Sequence, residues 1–239
     1  MLRSHLNELC ELLLEYFCKK KRFGYPKYSG SQFDKFDIAT TVEQSNRITG
    51  ADIVSLSFLS INLGPNVAQA LLFGEWSERI SNLLQVIPAN ASIYDDDAQE
   101  LMHWNSPEGP ARRLWGLLHA SANEIRSRFD LHLEQDELGL GPTTVSKIMA
   151  RKRTHLVPII DSQVRLKLNL AEEETPDEYW EYFMSLFREH GAREFVADVR
   201  SRFSHLYPNG CSLDEISDLR VFDVIIWMAP RVWFQQSTT

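Results

Sequence analysis

Cysteine is scarce in this chain: Cys10, Cys18 and Cys211 are the 3 in 239 residues. An odd, low number excludes the disulfide-dense secreted scaffolds and points to a reducing, cytoplasmic setting. A membrane-spanning run of about 18 or more apolar residues is also absent. The first hydrophobic stretch, Leu2–Cys18, is interrupted by His5, Asn7, Glu8, Glu11 and Glu15, which a signal-peptide core does not tolerate. Positive charge is in deficit, with 25 Lys and Arg against 33 Asp and Glu and a formal net charge of −8. That balance argues against a protein that coats nucleic acid non-specifically. Cys10 and Cys18 lie on one helical stretch with no nearby histidine, and Asp95-Asp96-Asp97 reads as a solvated turn, so neither a metal nor a cofactor is expected.

Apolar residues are plentiful, at 44% hydrophobic and 11% aromatic, enough for a real core in a chain of about one domain's length. Nearly every long segment carries them at helical period. Leu6, Leu9, Leu13 and Phe17 make one stripe, with Glu8, Glu11 and Glu15 off it. Further helices are expected over 65–73, 77–86, 97–104, 111–129 (with Pro110 opening it), 162–168, 176–190, 192–207 and 213–229, the last begun by a Ser212/Glu215 capping box. Thr49 and Asp52 suit the start of a helix running to about Asn62, although the branched residues of 53–63 leave a strand open. Residues 21–48, punctuated by Gly24, Pro26, Ser29, Gly30 and Ser31, read as a loop or irregular arm. The expected fold is all-α. Residues 1–48 would be a helix and basic aromatic arm, and 49–239 a single helical domain holding a hairpin (138–152) and an aspartate turn (158–162).

The positive charge is concentrated. Residues 19–35 carry Lys19, Lys20, Lys21, Arg22, Lys27 and Lys35 against Asp34. Residues 141–170 carry Lys147, Arg151, Lys152, Arg153, Arg165 and Lys167 against Asp161. Each island is thus +5, leaving −8 − 10 = −18 for the rest. They are either two sides of an anionic ligand's seat or ordinary solvated helix ends. In the first case Arg22 and Lys27, interleaved with Tyr25 and Tyr28, suit backbone contact and base stacking; the same residues also suit a loop packed across the domain.

One segment has a chemical signature. Gly139-Leu140-Gly141 reads as a hairpin able to take positive φ at both glycines, with Leu140 turned inward. Pro142 opens the next helix, and the amides of Thr143, Thr144 and Val145 then lack intrahelical acceptors at the positive end of the dipole, a seat for one phosphate. Lys147 and Arg151 lie one and two turns on, followed by Lys152 and Arg153. The apolar run Val157-Pro158-Ile159-Ile160 then delivers Asp161 to the start of another helix.

These residues resemble the helix-hairpin-helix DNA glycosylase superfamily. Gly139-Leu140-Gly141-Pro142-Thr143-Thr144-Val145 aligns with the family's hairpin and Ile160-Asp161-Ser162 with its aspartate turn, 161 − 143 = 18 residues apart without a gap. The whole chain also looks similar to an uncharacterised bacterial family sharing the Gly141-Pro142…Ser146-Lys147, Arg151-Lys152-Arg153, Asp161-Ser162 and Leu219-Arg220-Val221 stretches. The glycosylase resemblance implies a monofunctional enzyme acting on a modified base in duplex DNA. Gly139, Gly141, Thr143, Thr144, Val145, Lys147 and Arg151 would hold the phosphate, and Lys152, Arg153, Arg22 and Lys27 would add contacts. Asp161 would stabilise the sugar cation or activate water. Thr143 stands where lyase-type members have lysine, so no Schiff base is implied, and no four-cysteine cluster follows. Read from the residues alone, Asp161 is equally a helix cap, and the hairpin a non-catalytic nucleic-acid grip or part of a protein-interaction domain.

Overall fold

A computed structural model describes residues 2–39, 41–102, 109–119, 140–170 and 176–234. The described residues are helical, with no strand and one isolated bridge between Lys20 and Pro26, which bears out the all-α expectation. The helices are α1 (Leu6–Phe17), α2 (Val42–Ser45), α3 (Gly50–Phe58), α4 (Pro65–Leu72), α5 (Gly74–Val86), α6 (Ala98–Met102), α7 (Pro110–His119), α8 (Pro142–Lys152), α9 (Ser162–Lys167), α10 (Pro176–Arg188), α11 (Ala192–Leu206) and α12 (Asp218–Met228). None is long and apolar enough to cross a membrane.

The chain divides into two compact units, Met1–Ser31 with Pro158–Thr239, and Gln32–Val157. This differs from the arm-plus-domain division expected from sequence. The reason lies in α1: its apolar stripe is too wide for an appended arm, and Leu9, Leu13, Tyr16 and Phe17 are buried where α1 packs on α11 and α12. In the same unit Tyr179, Trp180, Phe183 and Phe187 of α10 form a buried row, with the Phe183 and Phe187 rings edge-on to Phe222 of α12.

Local signals account for most helix ends. The Thr49 hydroxyl accepts from the Asp52 amide while the Asp52 carboxylate accepts from the Thr49 amide, a complete capping box that settles 50–58 as helix rather than strand. Proline opens α4, α7, α8 and α10 at the position where a missing amide costs least. The Ser212/Glu215 signal does not start a helix. Ser212 Oγ accepts from the Asp214 amide in a turn, and α12 begins only at Ser217, whose hydroxyl accepts from the Arg220 amide. Within 21–48 the sequence missed the short α2, capped by Thr41. Leu156–Ile160 forms no regular element.

In the second unit, α7 packs on α5, α6 and α8, and α3 packs on α8. Trp76, Ile80 and Leu84 of α5 meet the core beside Leu114, Trp115 and Leu118 of α7, all nearly inaccessible. Trp227 of the first unit is exposed near the C-terminal end of α12.

The cysteines depart from the expectation of free thiols. Cys18, just beyond α1, and Cys211, in the turn after α11, form a disulfide with Cα atoms 6.0 Å apart. Packing α1 against α11 brings the two ends together, a proximity that a separation of 193 residues conceals. Cys10 remains a buried thiol, raised by burial to about 11. A thiol reagent added to the denatured, unreduced chain is therefore expected to modify Cys10 alone, and all 3 cysteines after reduction. Three reactive thiols before reduction would contradict the pairing.

Candidate functional site

The structure distributes the residues singled out above between the two units. In the second, Leu140 is buried as expected, and Gly141 precedes α8 as its N-cap with φ −64° and ψ 159°. That is extended backbone open to any residue, so the positive φ expected at Gly141 is not used. Gly139 lies outside the described residues. The Gly141 carbonyl accepts both the Thr144 amide (2.9 Å) and the Val145 amide (3.1 Å). Two of the three expected phosphate-seat amides are therefore engaged within the chain. The Thr143 amide has no hydrogen bond among the described residues; Thr143 and Thr144 are half-buried, and Val145 is sealed in the core.

The cations that follow are not a solvent-facing patch. Lys147 is 6% exposed, and its Nζ donates to the Leu59 carbonyl, at the end of α3, at 3.0 Å. Arg151 Nε donates to Asp52 Oδ1 at 3.1 Å. Its two terminal nitrogens donate to the carbonyls of Phe33 (2.6 Å), Phe36 and Asp37 (3.3 Å). Lys152 Nζ reaches Asp52 Oδ2 at 2.7 Å and the Gln44 carbonyl at 2.8 Å. Arg153, 1% exposed, donates to the carbonyls of Ile87 (2.8 Å), Ser45 (3.0 Å) and Leu84 and to Asn46 Oδ1 (2.8 Å). Arg151, Lys152 and Arg153 were expected to meet phosphates. The structure instead sets them against the carbonyls of Phe33, Phe36, Asp37, Gln44 and Ser45 and, for Arg153, also of Leu84 and Ile87, since a buried carbonyl must be hydrogen-bonded.

For Lys152 and Arg153 burial opposes the charge. Desolvation lowers the Lys152 ammonium against the pull of Asp52, and brings Arg153 down to about 10, which leaves it charged at neutral pH. Asp52 was legible in sequence only as a capping residue. It also accepts from Arg151 and Lys152, and no local signal announces that second role.

In the first unit, Asp161 is the N-cap of α9. Its Oδ1 accepts the Gln163 amide at 2.9 Å, and its side chain is half-buried. Val157, Ile159 and Ile160, immediately before it, are buried as expected of an apolar run. Behind the run stands Tyr179 of α10, whose hydroxyl donates to the Ile159 carbonyl at 2.8 Å. Burial, then the charges of Asp223 and Asp161, hold this phenol well above its ordinary 10.0. Sequence reasoning passed over Tyr179 as one aromatic among several on α10. Lys167, from the same basic island, donates to the carbonyls of Ile226, Trp227 and Ala229 and so closes the C-terminal end of α12.

The N-terminal island divides. Lys27 Nζ pairs with Glu15 at 2.5 Å, and Tyr28 donates to the same carboxylate at 3.1 Å, which fixes the start of the arm against α1. Arg22 is exposed, its guanidinium 5.5 Å from the Phe23 ring centre. Among the described residues no cluster of three or more His, Cys, Asp or Glu has the arrangement of a metal site. An open cleft of about 550 Å³ lies between α2 and α5 and is lined by polar residues including Asn46, Arg47, Glu78 and Asn82.

A family model described as "Family of unknown function (DUF6308)" matches residues 9–230. No curated protein and no solved structure matched the chain.

Two outcomes follow. Asp52→Ala leaves two buried cations without their carboxylate and should cost about 3 to 5 kcal/mol in urea unfolding, whereas a surface change such as Lys20→Ala should move the midpoint little. A small effect at Asp52 would show that water reaches the cluster. For Tyr179, the folded phenol keeps its proton above pH 10 where the unfolded one releases it, so stability should fall as pH rises past 10. Tyr179→Phe should abolish that contribution, read from urea midpoints below and above pH 10.

Proposed function

The chain belongs to DUF6308, a family of unknown function, so its activity has to be argued from its own residues, and we propose that it is a monofunctional DNA glycosylase-like hydrolase with Asp161 as its catalytic carboxylate. The observation that carries this reading is the placement of Asp161. It is delivered by a buried apolar run to the start of a helix, half-exposed, with one oxygen fixed by the Gln163 amide. A carboxylate held in this way, with part of its water excluded, stabilises a developing sugar cation better than it would in bulk solvent. In the reaction the N-glycosidic bond breaks with its electron pair going to the base, which takes up a proton. Water oriented by Asp161 adds its oxygen to the anomeric carbon and releases a proton. Thr143, where lyase-type relatives have an amine, offers no route to a Schiff base. In this reading the start of α8, opened by Pro142, offers the Thr143 amide to one phosphate.

The cap hydrogen bond to Gln163 favours a second reading, in which the chain binds nucleic acid without chemistry and Asp161 only starts α9. One pair of substitutions separates the two. Asparagine caps a helix about as well as aspartate but carries no charge, so Asp161→Asn should leave the melting temperature unchanged and abolish abasic-site formation on duplexes carrying modified bases. Asp161→Ala should also lose about 1 kcal/mol of stability with the cap. Base release by Asp161→Asn at the wild-type rate would remove the catalytic assignment and leave the binding reading.

A further inference from the structure

The basic residues at the end of α8 are committed to carbonyls, yet the other island forms a small projecting finger. Lys19–Lys27 doubles back on itself. The Lys27 amide donates to the Lys19 carbonyl (2.8 Å), the Lys21 amide to the Tyr25 carbonyl (2.6 Å), and Lys20 bridges Pro26. At the tip the Gly24 amide donates to the Lys21 carbonyl at 3.1 Å, which places Phe23 at the third position of a turn with φ 76° and ψ 10°. Those angles are the ones a type II turn reserves for glycine, and a bulky aromatic there is an outlier.

No packing among the described residues compensates for this conformation, although the exposed Arg22 guanidinium lies 5.5 Å from the ring centre. Phe23 is 85% exposed and Tyr25 71% exposed, so neither ring contributes to a core. Lys20, Lys21 and Arg22 are exposed and form no ion pair among the described residues. The finger's base is fixed, through Lys27 and Tyr28, to Glu15 on α1. A strained, solvent-facing ring on a fixed support, beside cations that form no ion pair among the described residues, suits an outside partner that is both anionic and flat.

We propose that the Lys19–Lys27 finger is a stacking site for unpaired nucleotides: Phe23 and Tyr25 stack on bases while Lys20, Lys21 and Arg22 meet the adjoining phosphates. This deepens the nucleic-acid reading above and rests on it for the class of ligand. Single strands are favoured over duplex because only unpaired bases offer their faces to a ring. An anionic membrane fits less well, since two rings on a turn supply far less apolar area than the amphipathic helices that bind at interfaces.

The test uses the full chain and fluorescein-labelled oligothymidylate, with a duplex of equal length and phosphatidylserine vesicles as comparisons. Phe23→Gly removes the ring and suits the backbone angle. It should weaken oligothymidylate binding about tenfold while the melting temperature holds or rises, which a purely structural ring would not do. Replacing Lys20, Lys21 and Arg22 together by alanine should reduce the slope of log K against log salt by about 2. Unchanged affinity in Phe23→Gly, or tighter binding to vesicles than to oligothymidylate, overturns the finger. The two proposals fail separately. Asp161-dependent base release with an unaltered Phe23→Gly affinity overturns the finger alone. Phe23-dependent binding in a chain that releases no base supports the finger and overturns the catalytic reading.

Discussion

Irregular backbone that is buried must find hydrogen-bond donors, and in this protein cationic side chains provide them. The 33–46 segment has few helical bonds of its own, and its carbonyls are taken up by Arg151, Lys152 and Arg153 at the C-terminal end of α8. A helix C-terminus is the favourable place for that charge, since its own carbonyl ends point the same way. The pattern recurs in the first unit. Arg200 holds the carbonyls of Leu213 and Ile216 before α12 and pairs with Asp218, and Arg220 reaches Gly30, Tyr16 and Asp223. Lys167 closes the end of α12 in the same way. Each of these cations ties segments distant in sequence, and removing any of them would leave several buried acceptors without a donor.

That constraint reshapes the functional reading of the charge. Seen as a string, Lys147 to Arg153 is the more attractive nucleic-acid contact because it follows a hairpin-like turn. In the folded chain these residues are buried and already have partners, while the N-terminal cluster, which seemed secondary, carries the exposed cations and rings. Net charge per segment counts residues but not their partners, so at +5 each it cannot tell the two islands apart. The acidic total of −8 is consistent with this: with the α8 cations enclosed, the accessible positive charge is smaller and more local than the composition suggests.

The aspartate turn behaved differently because its signals are local. A buried apolar run, a half-exposed acid and a cap to the residue two positions on all follow from Val157 to Gln163, and no distant partner is needed to set them. Its surroundings were not legible. Tyr179 donates to a carbonyl 20 residues earlier in the chain, and only the docking of α10 makes that possible.

Sequence alone determined the helical class, the capping box at Thr49, the prolines that open four helices, the inward Leu140 and the position of Asp161 at a helix start. All of these depend on interactions within a few residues, or on a periodicity that any packing must respect. Tertiary structure alone decided that α1 joins the C-terminal helices, that Cys18 meets Cys211, that Asp52 receives two cations, and that the arm's cations rather than those of α8 face solvent. These are long-range pairings in which a residue's role depends on what lies across from it. A charged side chain looks the same in sequence whether it awaits a ligand or holds a loop, and only the positions of the buried carbonyls distinguish the two.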